Sequence, residues 1–288
     1  MMRNRLLSAA VLVPAILAVA YLGGWYFGGL ILLVLTLSGR EYVLLLKRQD
    51  SGPSAIFVLA LIWMFVLDAR FPAWRLLGWG LSACVLGSLA WAVVRYERGH
   101  ASAVTDWALT VVGGLYLGWA GAHFMLLRNL NAPPQPNLLA PAHGGGLAWA
   151  VLALGVAWLA DTGAYLAGRR WGMHKLSPRV SPFKTWEGYL GGVVMATVSG
   201  GLIAILMGVL APLVSEISSV TVWDGLLLGL AISVFAPLGD LGESMLKRHA
   251  GAKDSGNLIP GHGGMFDRID SLLWAAVIAF YYANWVAR

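Results

Sequence analysis

The residues that could do chemistry crowd into one stretch near the C-terminus. Residues 244–270 read SMLKRHAGAKDSGNLIPGHGGMFDRID. Lys247, Arg248, Lys253 and Arg268 are cations, Asp254, Asp267 and Asp270 are carboxylates, and Gly261, Gly263 and Gly264 flank His262. Each type suits a site for phosphate and metal. Lysine and arginine neutralise phosphate oxygens, and arginine can do so bidentately. Glycine-rich backbone can turn several N–H groups towards one anion. Asp267 and Asp270 are three apart, so on a helix they share a face. Two carboxylates held close repel unless a cation sits between them. Oxygen-only ligands suit Mg²⁺, which keeps waters and shares substrate phosphates. No second histidine stands at helical spacing from His262 and there is no HExxH, which argues against zinc.

A second stretch, residues 169–187, reads RRWGMHKLSPRVSPFKTWE. Its two Ser-Pro turns precede Lys184, Thr185 and Glu187, and hydroxyls, a lysine and a turn can cradle a triphosphate. Three further carboxylates interrupt apolar runs: Asp161, Asp240 and Glu243. A carboxylate within a membrane span costs about 2.5–3.5 kcal/mol at the helix centre on insertion scales. Such residues face a bundle interior or a watery cavity. For any single residue, a solvated basic loop or a structural ion pair is the plainer account. For the whole cluster, its density in so uncharged a chain favours a site.

The elements that must position these residues follow from composition. Of 288 residues, 58% are hydrophobic and only 12% charged. A soluble domain carries about 25% charged residues, so an ordinary soluble globule and a disordered chain are both excluded. Nine apolar segments run approximately over residues 6–22, 25–46, 54–67, 74–94, 107–127, 146–168, 189–214, 223–245 and 271–286. The expected fold is an all-α polytopic membrane protein of about nine transmembrane helices with a cytoplasmic N-terminus. Residues 1–130 hold about five of the helices. Residues 131–288 form a transmembrane catalytic region with two cytoplasmic basic loops. This topology puts 16 Lys and Arg on the cytoplasmic side and four outside, a strong positive-inside bias. The net charge of +6 then reflects cytoplasmic loops rather than a nucleic-acid partner. The N-terminal apolar run reads as a first span, not a cleaved signal, because many spans follow. The linker 131–146 carries no charge and reads as an irregular outer connection. The single cysteine, Cys84, permits neither an intramolecular disulfide nor a cysteine zinc site.

The run from Ser244, Leu246, Lys247 and Arg248, through Lys253, Asp254, Gly256 and Pro260, to His262, Gly263, Gly264, Asp267, Arg268, Ile269 and Asp270 resembles the signature of the phosphatidate cytidylyltransferase (CDP-diglyceride synthase) family. Asp161, Thr162, Ala164 and Tyr165 resemble a further family motif, as do Ser181, Pro182, Lys184, Thr185, Glu187 and Gly188. The first half resembles the family only in hydropathy and in Arg40-Glu41. The resemblance implies that CTP and phosphatidate give CDP-diacylglycerol and pyrophosphate with Mg²⁺. It also implies K⁺ as a second cation and a membrane-embedded homodimer, with no nucleic-acid partner. The expected location is the bacterial inner (cell) membrane, with the active site facing the cytoplasm. On this reading Asp240, Asp267 and Asp270 hold the metal and, with Lys253, serve the chemical step. Ser181, Lys184, Thr185, Glu187, Lys247, Arg248, Asp254, His262, Gly263, Gly264 and Arg268 bind the substrates.

Other classes fit less well. A transporter would explain the intramembrane carboxylates but not the anion-binding chemistry packed into two loops on one side. A CTP-dependent lipid kinase fits the chemistry and differs in product. The CDP-alcohol phosphatidyltransferases use a more Asp-rich motif that is absent here.

Overall fold

The computed structural model describes residues 2–49, 52–131, 146–212, 220–256, 258 and 263–286, with backbone alone at residues 2–11 and 49. The expected linker beyond residue 131 and His262 fall outside these residues. The first half holds α1 (Met2–Leu22), α2 (Gly24–Leu46), α3 (Ala55–Arg70), α4 (Leu76–Glu97) and α5 (Ala103–Arg128). The second holds α6 (Gly146–Trp171), a hairpin of β1 (Lys175–Ser177) and β2 (Ser181–Thr185), then α7 (Trp186–Leu210), α8 (Val222–Phe235), α9 (Pro237–His249) and α10 (Phe266–Trp285).

Each of the nine apolar segments falls on helix. Among the described residues, six stretches are long and apolar enough to cross a membrane: α2, α4, α5, α6, α7 and the α8–α9 pair. The chain is an all-α, multi-pass membrane protein in which the described residues add one small hairpin. The eighth segment differs from expectation in being two helices. Pro237 has no N–H to donate to the carbonyl four residues back, so the helix breaks at Ala236 and restarts with proline in its first turn.

Two hydrophobic clusters share α10. The first joins Leu35 of α2, Leu61 and Ile62 of α3 and Leu117 of α5 to Phe266, Leu273 and Ala276. The second joins Val156 of α6, Ala196 of α7 and Ile232 of α8 to Ala275, Ala279 and Ala283. Residues 266, 273 and 276 therefore face one bundle and 275, 279 and 283 the other, the division that helical periodicity gives.

Polar groups inside the first bundle have partners. Asp106 is fully buried, accepts from the Gly52 amide and the Ser102 hydroxyl, and pairs with Arg95 at 3.3 Å. Arg128 is also fully buried and donates to the carbonyls of Ala20 and Tyr21 at the end of α1. A cation there complements the helix dipole.

Helices α6 and α7 meet along a seam of small residues. A Cβ on Gly191 would lie 2.2 Å from the Cβ of Ala167, and one on Gly163 would lie 2.4 Å from that of Met195. Close approach of this kind is how helices associate in lipid, where burial of apolar surface supplies no drive between them. Gly191→Ala should therefore overpack the seam and lower stability by about 1–3 kcal/mol, read as a lower melting temperature in detergent. The double variant Gly191→Ala/Ala167→Gly, which returns the lost space, should recover much of that loss.

Candidate active site

The hairpin, α6, α7, α9 and the start of α10 enclose one cavity of about 640 Å³, a size that takes a nucleotide-scale ligand. Its charged lining is Asp161, Arg169, Lys184, Asp240, Lys247, Asp254, Asp267, Arg268 and Asp270, with Thr185 beside them. The two basic loops that are distant in sequence thus converge on one volume. The rest of the wall includes Tyr165, Leu176, Phe183 and Tyr189, with Ser233 and Ser271. Phe183 is 89% exposed at its rim.

Helix α9 gives the site its polarity. Asp240, Glu243, Ser244 and Lys247 are spaced to share one face. Asp240 lies in the first turn and Lys247 in the last, each at the end the helix dipole favours. Asp240 pairs with Lys184 of β2 and accepts a long hydrogen bond, 3.3 Å, from Ser244. Lys247 pairs with Glu243 at 2.5 Å and with Asp267 at 2.6 Å.

One carboxylate oxygen each from Asp240, Glu243 and Asp270 lies within 4.8 Å of the other two. The expected metal set was Asp240, Asp267 and Asp270; Glu243, rather than Asp267, is grouped with Asp240 and Asp270. The oxygens of Asp267 are engaged by protein donors: Oδ1 by Lys247, and Oδ2 by the amides of Ser255 (2.9 Å) and Gly264 (2.7 Å) and the Ser255 hydroxyl (2.8 Å). Burial alone would push the Asp267 carboxyl up, but the Lys247 ammonium and the amides outweigh it and hold it at about 2. The Glu243 side chain is 1% exposed, and neither oxygen accepts a well-aligned hydrogen bond. A buried carboxylate of this kind, in a group of three, fits a hard divalent cation such as Mg²⁺.

Several expected substrate contacts lie outside the cavity wall and build the loops instead. Glu187 turns away and accepts hydrogen bonds from the amides of Met173 and His174 and from the His174 ring. It thereby fastens the start of the hairpin to α7. Ser181 pairs with Ser177 in the antiparallel ladder. Arg248 donates to the carbonyls of Val180 and Ala252, tying the hairpin turn to the loop after α9. Lys253 is exposed and is not among the lining residues. Thr185 caps α7 by accepting from the Gly188 amide, 3.1 Å away.

Gly263 and Gly264 act through their lack of a side chain. Gly263 has φ +80°, a left-handed conformation that glycine adopts without strain. A Cβ on Gly264 would come within 2.2 Å of the Ser255 hydroxyl and 2.3 Å of Glu41 Oε2. Two buried carboxylates, Glu243 and Glu41, are absent from the expected site. Glu243 carried a signal, since it is an intramembrane carboxylate three residues after Asp240. Glu41 carried only its place in the Arg40-Glu41 pair.

Apolar helices that gather cations and carboxylates around one cavity fit a membrane-embedded enzyme of phosphoryl or nucleotidyl transfer. The chain belongs to the cytidylyltransferase family, whose model matches residues 3–286, and it is a nucleotidyltransferase. It is 34% identical to a phosphatidate cytidylyltransferase of Synechocystis, over 97% of this chain and 95% of the relative. It is 30% identical to the phosphatidate cytidylyltransferase of Bacillus subtilis, over 98% and 96%. Identity to that of Brucella suis is 31%, over 98% and 93%.

Gly264→Ala should disturb the loop and lower activity, because its Cβ would displace the Ser255 hydroxyl and the Glu41 carboxylate from their hydrogen bonds. Steady-state turnover of the purified variant, with its melting temperature as the check on folding, measures this.

Proposed function

We propose that the protein transfers the cytidylyl group of CTP to phosphatidate, giving CDP-diacylglycerol and pyrophosphate in phospholipid biosynthesis. The observation that carries this reading is the convergence of Lys184, Lys247 and Arg268 with Asp240 and Asp270 in a single cavity, with Glu243 buried close to both carboxylates. Full-length similarity to phosphatidate cytidylyltransferases supports it.

The nucleophile is an oxygen of the phosphatidate phosphate, which is already anionic near neutral pH. No strong general base is needed. This oxygen bonds to the α-phosphorus of CTP as the bond to the β-phosphate bridge breaks. The electron pair leaves with pyrophosphate. The obstacle is repulsion between two anions, so cations and positioning carry the catalysis. Lys184 and Arg268 meet the phosphates from opposite loops. Lys247, held between Glu243 and Asp267, keeps positive charge at the cavity wall. Asp240, Glu243 and Asp270 would hold Mg²⁺, which when bound neutralises phosphate oxygens. Tyr165, Leu176, Phe183 and Tyr189 offer the lipid an apolar way in from the bilayer, so its tails need not leave the membrane.

The topology we favour has nine spans in two regions, residues 1–130 and 131–288, with the N-terminus and the site on the cytoplasmic side of the bacterial inner membrane. The distribution of Lys and Arg supports it. The working unit is a homodimer.

Purified protein supplied with labelled CTP, phosphatidate and Mg²⁺ should release CDP-diacylglycerol, separable by thin-layer chromatography. A phosphorylated lipid in its place would make the protein a kinase, and no lipid product would remove the reading. Asp270→Asn should lose more than the roughly 10–100-fold typical of groups outside a metal's ligand shell, with Mg²⁺ failing to restore it. For topology, a cysteine placed by Arg179→Cys in the hairpin should react with a membrane-impermeant maleimide in inverted vesicles and stay unlabelled in intact cells.

A further inference from the structure

The loop that completes the cavity is fastened to a helix that lends the cavity no side chain. Glu41 stands near the C-terminal end of α2 and is 8% exposed. Its Oε2 accepts hydrogen bonds from the Phe266 amide at 2.9 Å and from the Ser255 hydroxyl at 3.0 Å. Phe266 is the first residue of α10, and the N-cap residue of that helix, Met265, makes no side-chain cap of its own. The first amides of a helix lack partners within it. A carboxylate among them satisfies one directly and complements the positive end of the dipole. Glu41 is thus the cap of α10, reaching it from 225 residues away.

The loop is shaped to receive this carboxylate at both ends. A Cβ on Gly256 would lie 2.5 Å from Glu41 Oε1, and one on Gly264 2.3 Å from Oε2. Backbone can come this near to Glu41 only where no side chain intervenes. Ser255, next to Gly256, donates its amide to Asp267 Oδ2 and shares its one hydroxyl proton between that oxygen and Glu41 Oε2. Glu41, Ser255 and Asp267 therefore form one connected brace, and Asp270 is one turn beyond it on α10.

We propose that Glu41 is a positioning residue for the reaction. By capping α10 and seating the loop, it fixes where the first turn of α10 stands against α9. That sets the distance of Asp270 from Asp240 and Glu243. The N-terminal bundle thereby controls the geometry of a carboxylate group built wholly from the C-terminal region. The inference rests on the proposed cytidylyl transfer only for its turnover measurement; the metal measurement is independent of it.

The test uses the full-length protein in lipid nanodiscs, as wild type, Glu41→Ala and Glu41→Gln. Mn²⁺ binding is followed by electron paramagnetic resonance, and kcat and KM for CTP by product formation. Glu41→Ala should weaken Mn²⁺ binding by about 10–100-fold, the range for losing a group that orients a metal's ligands. Its kcat should fall by more than KM rises. Glu41→Gln keeps an oxygen for the Phe266 amide and should recover most of both losses. Folded Glu41→Ala that binds Mn²⁺ like the wild type overturns the proposal, and so does Glu41→Gln as damaged as the alanine variant. Should Glu41→Ala fail to fold, Ser255→Ala removes one arm of the brace. A clear loss of Mn²⁺ affinity there supports the proposal, and wild-type affinity overturns it. A wild type that binds Mn²⁺ but makes no CDP-lipid sinks the functional reading alone, and the Mn²⁺ comparison still decides the role of Glu41.

Discussion

The structure depends on one electrostatic constraint: carboxylates gathered where water is scarce must each find a counter-charge or a set of hydrogen-bond donors. Five of them, Glu41, Asp240, Glu243, Asp267 and Asp270, stand around the start of α10. Lys184 answers Asp240, and Lys247 divides itself between Glu243 and Asp267. Backbone amides at the loop and helix start answer Asp267 and Glu41. Removing Lys247 would leave the buried Glu243 without its counter-charge, which is far costlier than never having placed it there. The hairpin, the break before α9 and the glycines of the loop all bring a donor to one of these carboxylates.

Local sequence features turn this constraint into geometry. Pro237 ends α8 and lets α9 begin with Asp240 in its first turn, so the carboxylate meets the favourable end of a helix dipole. Glu187 and Arg248, which are not among the residues lining the cavity, hold the hairpin to α7 and to the loop after α9. Lys184 is then presented to Asp240 by a short ladder with fixed register. The seam at Gly163 and Gly191 lets α6 and α7 close on one another, which brings Asp161 and Thr185 to the same cavity.

Most of the helices were legible from hydropathy, because in lipid every backbone amide must be satisfied within its own segment and helices answer that need. The convergence of the two basic loops was legible from charge, since nine of the expected cytoplasmic cations lie in them. The roles within the loops were less so. Glu187, Ser181 and Arg248 look like ligand-binding residues by type and motif, yet each is spent on loop architecture. Type shows what a side chain can bind, while the backbone direction at its position settles what it meets.

What the sequence determined by itself is the membrane class, the helical segments and the crowding of cations and carboxylates into residues 240–270, because composition and spacing act locally along the chain. The tertiary structure alone decided which carboxylates stand together. Asp267 and Asp270 are one helical turn apart, yet Lys247 and the Ser255 and Gly264 donors claim the first, while α9 brings Asp240 and Glu243 to the second. It alone also brought Glu41 to the N-terminus of α10. Long-range packing sets such partners, and neither a helical period nor a motif spacing encodes the distance between two helices.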